Sequence, residues 1–223
     1  HAPLDQRWDY PRSKVRTEQL IDHLRESIPV VILRIAGVYT DTCDSIPLSH
    51  QIRRIRERHA TSRVFPGDLT HGQAYVHLDD LVSVIALAVL RRRDLAPRET
   101  FLIGEQDVMS YEQLQRAIAR QLHGEAEWFT QEIPSAVAKA GAWIQNKVPG
   151  VEEPFIKPWM IDFADDHYEL DISRARDRLG WTPHHRLDET LPLMIEALEA
   201  DPVAWYRRHG LDVPEEERDV SRE

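Results

Sequence analysis

Tyr10 and Lys14 stand four residues apart in the stretch Trp8-Asp9-Tyr10-Pro11-Arg12-Ser13-Lys14, ahead of the run Val15 to Leu24. If Pro11 opens a helix, where its missing N–H costs nothing, both side chains project from one helical face. A Tyr beside a Lys can serve as an acid/base pair. A free phenol titrates at about 10, and a nearby ammonium favours the phenolate, which moves proton transfer toward neutral pH. The same spacing also describes an ordinary surface pair, so spacing alone leaves both readings open. Asp79 and Asp80 are a second candidate. Acidic residues at the start of an apolar helix are favoured by its exposed N–H groups, and catalysis would need a facing partner. Among the histidines, His71 and His77 flank a short strand, His184 and His185 lie in a turn, and His167 precedes Tyr168. None has the spacing of a metal-ligand set, so no metal site is expected.

These residues need elements to hold them. Residues 15–27 read as an amphipathic helix with Val15, Leu20, Ile21 and Leu24 on one side, ended by Pro29. The run Val30-Val31-Ile32-Leu33-Arg34-Ile35 then has the pattern of a strand buried on both faces of a parallel sheet. A helix feeding such a strand is half of an α/β unit. Residues 36–47 read as a loop past the carboxyl end of that strand, where ligands bind in open α/β sheets. Ser49 to His59 reads as a short exposed helix, Val64-Phe65 as a short strand before a turn, and Gly72 to His77 as another strand. An apolar helix, Leu81 to Leu90, precedes a buried strand, Thr100 to Gly104. Ser110 caps a helix Tyr111 to Leu122, with Gln113 at the capping-box position. From Gly124 to Tyr168 the periodicity weakens while Trp, Pro and Phe accumulate, as in pocket linings or in a minor core under long loops. Helices are expected over Asp171 to Leu179 and Leu187 to Leu198, separated by Gly180-Trp181-Thr182-Pro183. A charged, frayed tail is expected after Gly210.

With 223 residues, 42% hydrophobic and 30% charged, the chain has globular composition. Its formal net charge of -10 and its lack of a basic stripe argue against a nucleic-acid partner. Arg91-Arg92-Arg93 suits the carboxyl end of a helix better than a membrane surface. Cys43 is the only cysteine, which suits a reducing compartment, and a cytoplasmic location is expected. No apolar run reaches the roughly 18 residues of a membrane span, and no secretion signal opens the chain. A start at His1-Ala2-Pro3 is expected of a processed or cut chain.

Four motifs in order carry a resemblance. Tyr10-x-x-x-Lys14, Leu33-Arg34-Ile35-Ala36-Gly37-Val38-Tyr39, Tyr75-Val76-His77-Leu78-Asp79-Asp80-Leu81, and Asp171-Ile172-Ser173-Arg174-Ala175 through Leu179-Gly180-Trp181-Thr182-Pro183 follow one another. Together they resemble the carboxyl-terminal portion of an extended short-chain dehydrogenase/reductase, the NAD-dependent epimerase/dehydratase family. The resemblance runs from Tyr10 to about residue 200.

That resemblance implies an α/β fold: the later part of a doubly wound parallel Rossmann-type sheet with a smaller, mostly helical substrate lobe. Residues 1–123 would be the back half of the NAD(P)-binding domain, with a substrate-lobe stretch inserted near 46–78. Residues 124–210 would form the substrate lobe and closing helices, and residues 211–223 a charged tail. The resemblance also implies an NAD- or NADP-dependent oxidoreductase or epimerase/dehydratase acting on a small hydroxyl- or carbonyl-bearing molecule. Tyr10 would be the general acid/base, and Lys14 would hold the nicotinamide ribose and favour the phenolate. Ile35, Gly37 and Val38 would lie along the nicotinamide, and His71 and Gln73 would face substrate. Helix-mediated homodimers are frequent in that family.

The departures are specific. Ile35 replaces the family's Pro, Gly37 its Asn, Thr40 its Gly, and Gln73 the Arg usual in nucleotide-sugar members. Losing that Asn and Arg weakens the case for a UDP- or GDP-sugar, because Arg is the natural bidentate partner of a diphosphate. No Gly-x-x-Gly-x-x-Gly turn for a dinucleotide pyrophosphate occurs in the sequence. The alternative these departures favour is a non-catalytic binding or assembly module on the same fold.

Overall fold

The fold is that of a computed structural model, which describes residues 9–24, 28–134 and 167–220. Helix α1 (Asp9–Leu24) feeds strand β1 (Val30–Ile35), as its sequence suggests, but it starts early enough to carry both Tyr10 and Lys14. Strand β2 (Gly37–Tyr39) lies inside the expected loop. Then come α2 (Ile46–Arg56), β3 (Val64–Phe65), β4 (Tyr75–His77), α3 (Leu78–Leu90), β5 (Arg98–Ile103), α4 (Tyr111–His123) and β6 (Gln131–Glu132). Four further helices are α5 (Ser173–Leu179), α6 (Leu187–Ala200), α7 (Pro202–Arg208) and α8 (Glu215–Val220). Much of the aromatic-rich stretch, including Trp143, Phe155 and Trp159, lies outside the described residues.

The three strand pairs among the described residues are parallel: β1 with β5, β2 with β4, and β3 with β6. In the first pair Val30 stands opposite Arg98 and Ile35 opposite Ile103. Strand β5 alternates, burying Glu99, Phe101 and Ile103 on one face. That face packs with Val31 and Leu33 of β1 against Leu81, Val84 and Ala88 of α3 and Ala175 and Leu179 of α5. Helix α1 covers the opposite face through ion pairs. Arg34 donates to both oxygens of Glu18 at 3.0 and 2.8 Å, and Arg98 pairs with Asp22. Helices thus lie on both faces of the parallel pair, the doubly wound arrangement. Strand β1 is nevertheless not buried on both faces. Five of its residues are half-buried and Ile35 is exposed, because β5 is its only partner among the described residues and charged pairs cover its α1 side. Leu20 of α1, expected on the inward side, is also exposed.

A second core is helical. Leu48, Ile52 and Ile55 of α2 form a stripe at helical spacing and meet Leu114 and Ile118 of α4, Leu191 and Leu198 of α6, and Trp205 and Tyr206 of α7. Helix α2 is therefore a core helix, not the exposed one suggested by its arginines, which are half-buried and held by Glu57, Gln51 and Glu217. Trp128 is enclosed in this core, with its indole N–H donating to Ser62 O at 3.2 Å. The tail is better ordered than its charge suggests: Leu211 is buried and Glu217 of α8 pairs with Arg56.

Two local signals hold as read. Ser110 accepts from Gln113 N while Gln113 Oε1 accepts from Ser110 N, which completes the capping box. Gly180 ends α5 with φ of 62°, the left-handed conformation that favours glycine.

Candidate active site

Helix α1 runs antiparallel to β1, since its end leads into the start of the strand. Asp22 meets Arg98 at the start of β5, and Glu18 meets Arg34 near the end of β1. Lys14 and Tyr10 continue the same i, i+4 row, each about 6 Å further along the axis. This row carries them past the carboxyl end of β1, where Ile35 is exposed. The Lys14 ammonium lies over the Tyr10 ring, 5.0 Å from its centroid, and Tyr10 is 64% exposed.

Gly37 begins β2 immediately beyond that edge, with its N–H donating to Ala74 O at 3.1 Å. A Cβ at Gly37 would stand 2.9 Å from the Tyr75 ring, so glycine is required there by close packing. Val38, half-buried, pairs with Val76. Gln73, exposed, lies next to Ala74 and so beside Gly37. The structure thus brings Ile35, Gly37, Val38 and Gln73 to one edge. His71 is placed differently: its ring stacks on His167 at 5.4 Å, and its carbonyl accepts from Tyr111 N at 2.7 Å. Tyr10 and Ile35 are both exposed, and the sequence holds no glycine-rich turn of the kind that binds a dinucleotide pyrophosphate.

Around β4 the structure builds a cluster that sequence spacing does not reveal. Asp80 does not cap α3. That role falls to His77, whose Nδ1 accepts from Asp79 N at 3.2 Å. Asp80 is 2% exposed and accepts from His184 N, His185 N and His185 Nδ1 at 2.9–3.1 Å. Although burial opposes its charge, these donors hold its pKa below the ordinary carboxylate value. His77, Asp79 and His185 each bring one possible ligand atom within 4.8 Å of the others. The His77 and His185 rings, however, are stacked at 4.0 Å and 22°. A metal bound about 2.0–2.1 Å from an imidazole nitrogen lies near that ring's plane, and two nearly parallel planes share no such point. The pair is arranged for stacking and capping, not chelation.

Glu105 is the other residue the sequence reading passed over. It stands two residues beyond β5 and lines a cleft of ≈ 350 Å³ with Asp107, Val108, Met109, Gln113, Arg186 and Asp188. Burial is the main cause that pushes its pKa up to about 7. An acid directly past the end of a buried strand was the available signal.

The sequence matches the NAD dependent epimerase/dehydratase family over residues 1–104. No curated protein matches the chain. Among solved structures, UDP-glucose 4-epimerase of Thermotoga maritima is 20% identical, with 86% of this chain and 53% of that chain covered and a TM-score of 0.57. The dTDP-glucose 4,6-dehydratase of Bacillus anthracis, solved with NAD, is 15% identical with coverages of 94% and 57% and a TM-score of 0.63. An epimerase of Methanothermobacter thermautotrophicus is 13% identical with coverages of 92% and 54% and a TM-score of 0.64. The chain therefore shares the fold of these structures, and the family model matches residues 1–104. This chain spans 53 to 57% of the length of these three structures.

Proposed function

We propose that the chain provides the acid/base half of an NAD(P)-dependent oxidoreductase of epimerase/dehydratase type. Tyr10 would move a hydroxyl proton while hydride passes to or from the nicotinamide. Lys14 would hold the nicotinamide ribose, and the backbone from Ile35 to Val38 would lie along the ring. The supporting observation is the row Tyr10, Lys14, Glu18, anchored by Glu18 on Arg34, which carries the pair past the carboxyl end of β1. The substrate would be a small hydroxyl- or carbonyl-bearing molecule. Structural relatives named for UDP-glucose and dTDP-glucose make a nucleotide-sugar one candidate, and Gly37 and Gln73 weigh against its diphosphate.

The test is a fluorescence titration of NADH and NADPH against this chain and against the chain joined to a glycine-rich first half, followed by turnover of the joined form. Tyr10→Phe should lower turnover about 10²–10⁴-fold with cofactor affinity nearly unchanged. Unchanged turnover would remove Tyr10 from its role. Binding by neither form would favour a non-catalytic module. That second reading draws on Gly37, whose lack of a side chain is accounted for by Tyr75 packing alone.

A further inference from the structure

Strand β1 has one edge in use. At the two ends of its pairing with β5, Val30 N donates to Pro97 O and Ala36 N to Ile103 O, both at 2.8 Å. Alternate residues of a parallel strand bond to a given neighbour. Ile32 and Arg34 therefore turn to β5 as Val30 and Ala36 do, and Val31, Leu33 and Ile35 turn their N–H and C=O groups to the other edge. No strand lies on that edge among the described residues. Exposed edges are ordinarily blunted by charge, proline or a bulge. Within Val30 to Ile35 the one charge is Arg34, and it is drawn to Glu18 of α1 at 2.8 Å. The edge is left open to pairing.

An apolar face lies beside it. Leu81, Val84 and Ala88 turn α3 toward the sheet. On one side of that contact, Trp181 Nε1 at the end of α5 donates to Asp80 O at 3.1 Å and to Ser83 Oγ at 3.0 Å. At about 100° per residue, the exposed stripe Leu78, Val82, Ile85 and Val89 lies nearly opposite Asp80 and Ser83. Helix α5 is tied to β5, where Arg174 Nε donates to Glu99 at 3.1 Å and Arg178 at 3.2 Å. Going away from α5, the order is β5, β1 and then the open edge. The stripe therefore faces the β1 side, above that edge.

We propose that the open edge of β1 and the apolar flank of α3 form one docking surface for a strand–helix unit. Its strand pairs with β1 in parallel, and its helix lies on Leu78, Val82, Ile85 and Val89. Main-chain bonds to Val31, Leu33 and Ile35 supply the pairing, as in other strand additions, and the flank selects an apolar helix. The unit is assigned to a glycine-rich dinucleotide-binding half, and that assignment rests on the proposed function.

This occupant is favoured over a second copy of the chain. Nearly half of each of the three solved structures has no counterpart here. Two copies with their α3 flanks on one face would be related by an axis normal to the sheet, which runs their β1 strands antiparallel. The strand pairs among the described residues are parallel.

The experiment is amide hydrogen exchange, read residue by residue. It compares the 223-residue chain with the same chain joined behind the part of the Thermotoga maritima UDP-glucose 4-epimerase that it does not cover. In the chain alone, Val31, Leu33 and Ile35 should exchange freely while Ile32 and Arg34 are protected. In the joined form those three edge amides should slow about 100-fold or more, since a bonded strand must then open before they exchange. Val82→Lys should reverse that slowing in the joined form. Edge amides already protected in the chain alone would overturn the proposal, and a dimer in sedimentation would then give the surface to a second copy. A joined form whose edge amides still exchange freely would overturn it too, whether or not NADH binds. Amides that stay slow in joined Val82→Lys would strike the α3 flank and leave no joint surface. Slowed amides in a joined form that binds no NADH would uphold the docking and remove the cofactor reading.

Discussion

In the helical region Leu48, Ile52, Ile55, Ile118, Leu198 and Tyr206 are all fully enclosed. In the sheet region no residue of β1 is buried, and α3 leaves Leu78, Val82, Ile85 and Val89 exposed. The α3 stripe is as regular as the α2 stripe, recurring every three or four residues, yet one is covered and the other is not. At about 100° per residue, the exposed stripe lies about 120° around α3 from its buried side. Helix α3 is apolar over more of its circumference than α5 and the sheet cover. Apolar periodicity thus states that a face can be buried, and only the neighbouring elements decide whether it is.

Substitutions can break or sharpen this contrast. The largest loss is expected from Ile52→Ala, which opens a cavity in the enclosed core and should cost about 2–5 kcal/mol in denaturant unfolding. A value under 1 kcal/mol would show that the helical core collapses freely and is not better packed than the sheet side. Asp80→Asn comes next. It keeps one acceptor oxygen but sets an NH₂ against the donors of His184 and His185, so about 1–3 kcal/mol should be lost. A stability matching wild type would mean that the turn carrying His184 and His185 is not pinned to α3. The smallest effect belongs to Val82→Lys on the open flank, within about 0.5 kcal/mol of wild type. A clearly larger loss would show the flank covered in solution, and the contrast between the regions would fall.

What the sequence reveals follows how local each signal is. Strand β1 is read to the residue because a β-branched run needs no distant partner to be recognised. The Ser110 cap is legible because both partners lie within one turn. Helix α7 was overlooked although Asp201, whose side chain accepts from Ala204 N at 2.9 Å, and Pro202 mark its start. Its seven residues are too few to show the periodicity that would announce Trp205 and Tyr206. At the candidate site, the i, i+4 spacing puts Tyr10 and Lys14 on one helical face, and only the resemblance gives them a role. The stacking of His77 on His185 and the hydrogen bond from Leu187 N to Glu105 join distant segments, and no local pattern announces them.

The sequence by itself determined the α/β order, the Ser110 cap, the Gly180 stop and the span of β1, because propensity, periodicity and capping act between neighbours in the chain. The tertiary structure decided which apolar faces close, that Asp80 holds a distant turn, and that Glu105 is buried at the start of α6. Burial and desolvation depend on what packs from elsewhere in the chain, so the properties they create exist only once the segments meet.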